Sequence, residues 1–208
     1  MADADLPFAL HRGDLPAGLE LGPAVAVDTE AMGLVAGRDR LCLVQLSAGD
    51  GFCHLVQIAN GQDRAPRLAA LLTDPEVLKL FHYARFDVAL LRAGLGVDTA
   101  PIYCTKIASK LTRTYTDRHG LRDLCRELLG VDIQKAQQSS DWGADTLTEA
   151  QQAYAASDVL HLHALRARLD VMLKREGRAD LAARCFDFLP TRAALDLAGW
   201  PDVDIFAH

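Results

Sequence analysis

The pattern of apolar segments predicts an α/β fold with a mixed five-stranded sheet flanked by helices. Three short apolar runs come first, and the turn-forming connector SAGDG between the second and third predicts antiparallel neighbours, because parallel strands need a longer crossover. Two further short strands then alternate with helical patterns, which is typical of βαβ units. The predicted strands are residues 24–30, 41–46, 52–58, 77–82 and a short segment near Ile102 and Tyr103.

Apolar residues at helical spacing predict the remaining elements. A long helical stretch follows the polar loop QKAQQSSDWGAD, and Thr146 or Thr148 is a candidate for its N-cap. We expect Pro190 to break the last helix. The predicted helices are residues 65–73, 84–93, 105–112, about 121–129, about 147–175 and 179–199.

Length and composition favour one packed domain. The chain has 208 residues, of which 50% are hydrophobic, so residues 1–208 are expected to form a single domain. The 28 acidic and 22 basic side chains give a formal net charge of −6. Long nucleic acids are held by basic surfaces that displace phosphate counterions. This charge balance therefore argues against a long nucleic acid held by charge alone, but it permits a short one gripped in a pocket.

Other classes of protein are excluded by simple features of the sequence. The chain has no run of about 18 apolar residues, so no membrane span is predicted. The N-terminus carries acids where a signal peptide has bases, and the five cysteines include no C-x-x-C pair. We therefore expect a cytoplasmic protein with free, buried thiols and with neither a disulfide framework nor a zinc site.

Two acids end the first apolar strand, in the segment Asp28-Thr29-Glu30. Residues i and i+2 of a strand face the same way, so the carboxylates of Asp28 and Glu30 project side by side, about 6–7 Å apart at Cα. Like charges at this spacing repel unless protons or a cation intervene. A strand that simply ends in solvated acids is the alternative interpretation.

Two later segments add the remaining acids. Asp87 interrupts an apolar helical pattern in FHYARFDVALL, where the alternative is a structural acid that favours the helix dipole. Tyr154 and Asp158 in YAASD are four residues apart and share one helix face, where the alternative is an exposed acid beside a half-buried tyrosine. His161 and His163 follow this motif and face different ways, so we interpret them as surface or packing residues.

Taken together, four converging acids would carry a charge of about −4, which two divalent cations would neutralise. Ligands that are all oxygen favour Mg²⁺ or Mn²⁺ over zinc. Two such ions about 4 Å apart suit in-line displacement at phosphorus, one activating water and the other stabilising the leaving oxygen. The sequence therefore predicts a site for two ions of Mg²⁺ or Mn²⁺.

Three segments carry a resemblance to a known family. VAVDTE, FHYARFD and YAASD resemble, in that order, the three motifs of the DEDD superfamily of 3′→5′ exonucleases, in the branch with a tyrosine in the third motif. KAQQSSDW resembles the K-x-x-Q-x-S-D-W stretch of the ribonuclease D family. The likeness runs over a core at about residues 24–166, which leaves a helical extension at about residues 167–208.

The resemblance implies a ribonuclease H-like fold and a set of roles. By motif position, the implied metal ligands are Asp28, Glu30, Asp87 and Asp158. Tyr154 would orient the attacking water. Since a phenol with a pKa of about 10 is a poor base at neutral pH, we expect positioning of the water rather than full proton abstraction.

Several departures from ribonuclease D favour a short substrate. Ribonuclease D proper carries further helical nucleic-acid-binding domains, for which we expect the segment after Asp158 to be too short. The family stretch continues as R-P-L, whereas this chain has Asp145-Thr146-Leu147. With the acidic charge balance, the chain most resembles the stand-alone nanoRNase C type of bacterial enzyme, which cuts dinucleotides and very short oligoribonucleotides.

Two other functions stay open from the sequence. One is the same chemistry on a different substrate, either the 3′ ends of longer RNA such as tRNA or single-stranded DNA. The other is a non-catalytic RNA-binding or scaffold module that keeps the fold. The usual sign of such a module is the loss of one or more acids, and this sequence has all four acids and the tyrosine.

Five residues are candidates for binding the substrate. Leu34 stands where related enzymes wedge a leucine between two bases, although a loop leucine packed on the core is the alternative. Lys135, Gln138 and Ser140 are suited to a terminal phosphate, the first as a point charge and the others as hydrogen-bond donors, unless they form an ordinary polar loop. His82 is a candidate contact for a sugar or phosphate, with a purely structural histidine as the alternative.

Aromatic residues in two segments predict further contacts. The C-terminal GWPDVDIFAH carries Trp200 and Phe206, which are costly to expose unless something covers them. Burial against a neighbouring subunit would make a homo-oligomer, and relatives of the nanoRNase C type assemble into rings; folding back on its own domain is the alternative. Trp142 either stacks on a base or, as we favour, packs its loop.

Overall fold

The structure, a computed structural model, describes residues 7–133 and 140–208. Its strands are β1 (Phe8–Arg12), β2 (Ala24–Ala31), β3 (Leu41–Ser47), β4 (Cys53–Gln57), β5 (Leu78–Phe81) and β6 (Ile102–Cys104). Within the described ranges these strands form one six-stranded sheet in the order β1-β4-β3-β2-β5-β6. The strands β2, β3 and β4 are antiparallel neighbours, whereas β1 runs parallel to β4, and β5 and β6 continue the sheet in parallel from β2.

The predicted mixed α/β fold is confirmed, but the sheet has one strand more than the five predicted. The additional strand is β1, whose sequence FALHR lacks the β-branched residues typical of strands. It forms because it pairs in parallel with β4, more than 40 residues later in the chain, and this long-range pairing leaves no local sequence pattern.

The helices follow the prediction with two corrections. They are α1 (Pro66–Thr73), α2 (Ala84–Leu95), α3 (Thr105–Thr112), α4 (Leu121–Leu124) with a π-helical turn at Cys125–Leu129, α5 (Glu149–Leu160), α6 (Leu162–Arg175) and α7 (Ala179–Leu197). The long predicted stretch is two helices that meet at His161. The predicted break at Pro190 is wrong, because α7 continues through the proline. A proline removes one helical hydrogen bond, and the buried Phe186 and Ala193 on either side keep this helix packed.

The central strand β2 extends beyond its parallel neighbour. Its pairing with β5 covers Ala24 to Ala26, whereas its pairing with β3 continues to Ala31. Asp28 and Glu30 therefore lie at the carboxyl end of β5, where the beginning of α2 replaces a strand as the neighbour. This edge of a sheet with parallel strands is the usual place for a ligand site.

Different helices pack against β2 from its two faces. Helix α5 packs on β2, β3 and β4, while α2 contacts β2 and β5 and carries α7 on its outer side. Because side chains alternate along a strand, Thr29 points to the face opposite that of Asp28 and Glu30. Asp158 on α5 and Asp87 on α2 therefore approach the central strand from its two faces.

From the sequence we expect no membrane span and only free thiols. None of the described helices is long and apolar enough to cross a membrane. The five cysteines are free thiols, as predicted, and Cys185 alone among them is partly exposed.

A capping box fixes the beginning of α5. The Thr148 hydroxyl accepts a hydrogen bond from the Gln151 N–H at 3.2 Å, and the Gln151 side chain accepts one from the Thr148 N–H at 3.0 Å. Gln151 Nε2 also donates to the Asp141 carbonyl at 3.0 Å, which ties the helix to the loop before it. Of the two candidate caps, Thr148 is therefore the one that acts.

We predict that Thr148→Ala lowers the free energy of unfolding by about 1 kcal/mol, because the first turn of α5 loses its side-chain acceptor. Chemical denaturation followed by circular dichroism measures the change. Thr146→Ala is the matched control, since Thr146 is exposed and makes no capping hydrogen bond. Equal losses in the two variants would contradict the assignment of the cap.

Candidate active site

A cleft of about 320 Å³ opens at the carboxyl ends of β2 and β5. Its lining combines four carboxylates with two basic side chains: Asp28, Glu30, Asp123 and Asp158, and Lys106 and Arg122. Opposite charges therefore face one cavity. Such a lining suits a ligand that carries both phosphate groups and bound cations.

One wall of the cleft is the segment before α4, and a buried arginine holds it in place. Arg113 is fully buried, and its Nη1 donates to the Ser109 hydroxyl at 3.0 Å and to the Arg118 carbonyl at 2.7 Å. Its guanidinium also pairs with Glu127. These bonds fix the turn that leads to Gly120 and Arg122 at the cleft. The shape of this wall therefore depends on the buried Arg113 guanidinium keeping its hydrogen-bond and ion-pair partners.

Three carboxylates meet on the α5 face of β2. Oxygen atoms of Asp28, Glu30 and Asp158 all lie within 4.8 Å of one another. Asp158 reaches this point because α5 lies over β2, and its face carries Tyr154 one turn earlier. The donor set is entirely oxygen and negatively charged, so it fits a hard divalent cation such as Mg²⁺ or Mn²⁺.

Asp87 enters from the first turn of α2 on the other side of the strand. It is 3% exposed, and one carboxylate oxygen accepts a hydrogen bond of 2.6 Å from the Thr29 hydroxyl. Its oxygens are outside the three-carboxylate group, but its charge acts on Asp28 directly by raising the pKa of that carboxyl. The four predicted acids thus lie close enough to influence one another's pKa values. Three of them lie close enough to ligate one cation.

Burial and mutual repulsion hold protons on these acids. The pKa of Asp28 is raised well above its ordinary value, first by burial and then by the charges of Asp87 and Asp158. Burial, followed by repulsion from Asp158, raises the pKa of Glu30 to about 9. Burial raises the pKa values of Asp87 and Asp158 to about 7 each. Bound cations would remove the repulsion, which is the electrostatic reason for a metal at this place.

Tyr154 is half-buried beside the cluster. Burial, and then the charge of Asp158, raises the pKa of its phenol above the ordinary value. The hydroxyl therefore stays protonated at neutral pH, which agrees with a positioning role and not with a general base. Its ring centroid lies 6.2 Å from that of Trp142, which is 2% exposed. Trp142 therefore packs the loop, as we favoured, and does not offer a face to a base.

The histidines of the sequence motifs occupy structural positions. His82 Nδ1 is hydrogen-bonded to the Thr105 hydroxyl at 2.9 Å, and burial, followed by the charge of Lys106, lowers the pKa of His82 to about 3. His82 lines the cleft as a neutral ring. His163 Nε2 is hydrogen-bonded to the Ser47 carbonyl at 3.1 Å, and burial lowers the pKa values of both His161 and His163.

Leu34 lies on the loop after β2 and is 87% exposed. The loop is closed by Asp39, which accepts a hydrogen bond from the Val35 N–H at 3.0 Å and pairs with Arg38. The alternative of a leucine packed on the core is therefore wrong for this chain. An apolar side chain held out by a fixed loop beside the acidic strand is available to a ligand.

The predicted phosphate-binding residues are only partly described. Lys135 and Gln138 lie outside the described residues. Ser140 is half-buried, and its carbonyl accepts a hydrogen bond from the Trp142 N–H at 3.0 Å. The loop that follows is anchored on the sheet, since Arg40 donates to the Gly143 carbonyl at 3.0 Å.

Among the cleft residues outside the predicted set are three large polar or basic side chains, Tyr83, Lys106 and Arg122. A signal for two of them was present in the sequence. Tyr83 follows β5 and Lys106 follows β6, and residues just after parallel strands meet at one edge of a sheet. Arg122 reaches the cleft because Arg113 holds the loop that precedes it. No spacing in the sequence indicates this contact.

The fold and the acidic cluster define the class of protein as a nuclease of the ribonuclease H-like fold. The chain belongs to the 3′-5′ exonuclease family, whose domain it matches over residues 14–174. Ribonuclease D of Gluconacetobacter diazotrophicus is 41% identical over 161 residues, which cover 77% of this chain and 40% of that protein. The chain thus spans about 40% of the length of the curated ribonuclease D relatives it matches.

Two solved proteins show the extent of the structural likeness. Brucella melitensis NrnC bound to pGG superposes with a TM-score of 0.95 and 55% identity, covering 98% of this chain and 99% of that chain. The same protein with bound Mg²⁺ gives a TM-score of 0.93 and 54% identity, covering 97% and 99%. Escherichia coli RNase D, an exoribonuclease involved in structured RNA processing, gives 0.73 and 29%, covering 82% of this chain and 45% of that one.

We predict that the metal-free protein loses thermal stability as the pH rises from about 7 to about 9, above the range in which the histidines with lowered pKa values gain protons on unfolding. The clustered carboxyls have raised pKa values in the fold, up to about 9 for Glu30, so the folded state binds more protons than the unfolded chain across this window. Ionisation then costs stability, and Mg²⁺ should restore more of it at high pH than at low pH. Thermal unfolding with and without Mg²⁺ at both pH values measures the effect.

The control for this experiment is Asp28→Asn, which removes one of the charges. Its melting temperature should depend less on pH and respond less to Mg²⁺ than that of the unmodified protein. A stabilisation by Mg²⁺ that is independent of pH, or equal in the two proteins, would contradict the assigned electrostatics.

Proposed function

We propose that this protein is a metal-dependent 3′→5′ exoribonuclease that hydrolyses dinucleotides and very short oligoribonucleotides to 5′-mononucleotides. The observation that carries the proposal is the group of three carboxylates with oxygens within 4.8 Å of one another in a cleft of about 320 Å³. Membership of the exonuclease family and the likeness to Brucella melitensis NrnC bound to pGG over nearly the whole chain support it.

Four residues would hold the metal. Asp28, Glu30 and Asp158 offer the oxygens that meet, and Asp87 would complete the set from the start of α2. When bound, two ions of Mg²⁺ or Mn²⁺ would supply an activated water and stabilise the leaving oxygen. The structure of Brucella melitensis NrnC with bound Mg²⁺ supports the choice of a divalent cation.

Tyr154 would orient the attacking water. Its phenol is half-buried, and burial followed by the charge of Asp158 raises its pKa and keeps it protonated, so it can donate a hydrogen bond to a water oxygen. Thr29 would act on Asp87, because its hydroxyl holds one oxygen of that carboxylate and leaves the other for a ligand. Each group acts by holding an atom in place, and such positioning contributes several orders of magnitude in rate.

Short substrates are favoured by what the cleft can grip. The exposed Leu34 would separate two bases, and Lys135, Gln138 and Ser140 would bind a terminal phosphate. His82 is neutral and would contact a sugar rather than pair with a phosphate charge. The formal net charge of −6 gives little support to a long phosphate backbone.

Trimming of longer RNA 3′ ends is the second candidate function. It is favoured by the 41% identity to ribonuclease D of Gluconacetobacter diazotrophicus over the exonuclease domain. The same chemistry on single-stranded DNA is a further form of it. Both require binding of nucleotides beyond the cleft, whereas the dinucleotide function does not.

A substrate-length series distinguishes these functions. With Mg²⁺ or Mn²⁺, we predict that kcat/KM is at least about tenfold higher for RNA dinucleotides than for strands of about twenty nucleotides, because binding energy from further nucleotides finds no basic surface. Quantified chromatography of the products measures the rates. Asp28→Asn is the control and should lose turnover while remaining folded, which excludes a contaminating nuclease.

The outcome that overturns the dinucleotide preference is an equal or higher rate on long RNA. Equal rates on long DNA would point to the second candidate instead. Full activity of Asp28→Asn would refute the metal role of the cluster.

We also propose that this nuclease acts in the cytoplasm as a homo-oligomer, for which a closed ring is one arrangement. Exposed apolar side chains concentrate on α7 and the tail after it: Leu181, Phe188, Trp200, Val203, Ile205 and Phe206. The Phe188 and Phe206 rings lie 6.1 Å apart between centroids, so helix and tail form one apolar surface. A surface of this kind is the usual sign of an interface between proteins. The cytoplasmic location stays a prediction.

We predict a solution mass that is a multiple of 22.6 kDa by light scattering, and a shift towards the monomer in Trp200→Ser combined with Phe206→Ser. The loss of apolar contact area causes the shift. Val171→Ser, at an apolar position on α6 that is 67% exposed, is the control and should leave the mass unchanged. A monomeric mass for the unmodified protein would refute this part of the proposal.

A further inference from the structure

A second cavity of about 320 Å³ lies at the same edge of the sheet as the active cleft. It opens where the parallel strands β1 and β4 both end, and its lining shares no described residue with that of the cleft. Glu30 of β2 and Gln57 of β4 both pair with Leu43 of the strand between them, so about 10 Å separates the two places along the sheet. The two cavities are therefore neighbours of equal volume but separate sites.

Three neighbouring strands bring one polar side chain each to this second cavity. Arg12 ends β1, Gln57 ends β4, and Arg40 directly precedes β3. Strand β4 lies between the other two in the sheet, so the two arginines flank Gln57. Asp145 is the one acid of the lining among the described residues, and it meets Arg12 through its backbone carbonyl. The described lining therefore carries more positive than negative charge.

The two arginines are held in place by only part of their donors. A guanidinium offers five N–H donors. Arg12 uses one nitrogen, which donates to the Asp145 carbonyl at 3.2 Å. Arg40 uses two, which donate to the carbonyls of Ile58 and Gly143 at 3.2 and 3.0 Å. Within residues 7–133 and 140–208, no ion pair joins either arginine to a carboxylate, and both have N–H groups left for an anion.

Gln57 lines the same cavity with an unpaired acceptor. It is 8% exposed, and its Nε2 donates to the Ala144 carbonyl at 3.0 Å. Its Oε1 is buried and has no hydrogen-bond partner in the part of the chain that the structure describes. A buried carbonyl oxygen without a partner is costly, so this atom favours a ligand that brings an N–H or O–H donor.

We propose that this second cavity binds a nucleoside 5′-monophosphate, with the phosphate on Arg12 and Arg40 and a base N–H on Gln57. Guanidinium forks match the oxygens of a phosphate monoester, which carries a charge of about −2. A base supplies the donor that the Gln57 oxygen lacks, and the cavity has the same volume as the cleft that would take the substrate. The inference goes beyond the proposed function, which would release molecules of this class nearby but does not require a second place to hold them.

The test measures binding of 5′-GMP by isothermal titration calorimetry without metal ions, where the uncompensated carboxylates of the active cleft repel a phosphate. Arg12→Met should weaken binding by about tenfold, because charge-assisted hydrogen bonds to the phosphate are lost. Arg12→Lys should recover part of the affinity, since it keeps the charge but not the planar fork. Guanosine and ribose 5-phosphate each lack one half of the ligand, so both should bind more weakly than 5′-GMP.

Two variants are matched controls. Arg64→Met removes the same charge from an exposed residue that lines neither cavity, and it should leave the Kd of 5′-GMP within about threefold. Lys106→Met removes a cation from the active cleft and should also leave the Kd within about threefold. Circular dichroism and thermal unfolding show that all the variants are folded.

The inference is overturned if 5′-GMP does not bind without metal, or if its Kd is unchanged in Arg12→Met. An equal loss in Lys106→Met would place the nucleotide in the active cleft, and an equal loss in Arg64→Met would reduce the contact to general charge. An RNA tetranucleotide without a terminal phosphate that loses as much affinity as 5′-GMP in Arg12→Met would assign the cavity to the backbone of a longer strand. None of these measurements depends on turnover, so failure of the proposed function is distinct from all of them.

Discussion

The mutual repulsion of clustered carboxylates is the constraint on which the site depends. Three of them have oxygens within 4.8 Å of one another, and Asp87 adds its charge from the other face of the central strand. Such an arrangement is unfavourable by itself, so rigid elements must maintain it. The central strand, the first turn of α2 and the capped helix α5 provide that rigidity. The repulsion lowers the stability of the fold at this place, but the cation site is assembled before the metal binds.

The rest of the cleft complements this acidic floor. Lys106 and Arg122 line the same cavity, and the loop after β2 holds Leu34 exposed to solvent. A nucleotide offers matching groups, because its phosphates are anionic and its bases are flat and apolar. A protein with a formal net charge of −6 can therefore take a nucleic acid when binding is confined to one small cavity.

The sequence predicted the elements that carry regular patterns. The strands from β2 to β6, the fold class and the four acids could be read from short apolar runs, turn signals and ordered motifs. It could not predict β1, whose pairing with β4 is long-range, or the continuity of α7 through Pro190, which depends on packing. Lys106 was missed because it belongs to no motif, and Tyr83 lies within FHYARFD without being one of its acids; only the sheet edge brings the two side chains together. The raised pKa values of the acids depend on burial, which cannot be read from the order of the residues.

Calorimetry of Mg²⁺ binding at neutral pH, in buffers of different ionisation enthalpy, measures whether the clustered carboxyls release protons when the metal binds. The pKa values of Asp87 and Asp158 are raised to about 7 and that of Glu30 to about 9, so metal must displace protons to bind. We expect proton release on binding, and a loss of both binding and release in Asp28→Asn. Binding without proton release, or binding unchanged in that variant, would contradict this expectation.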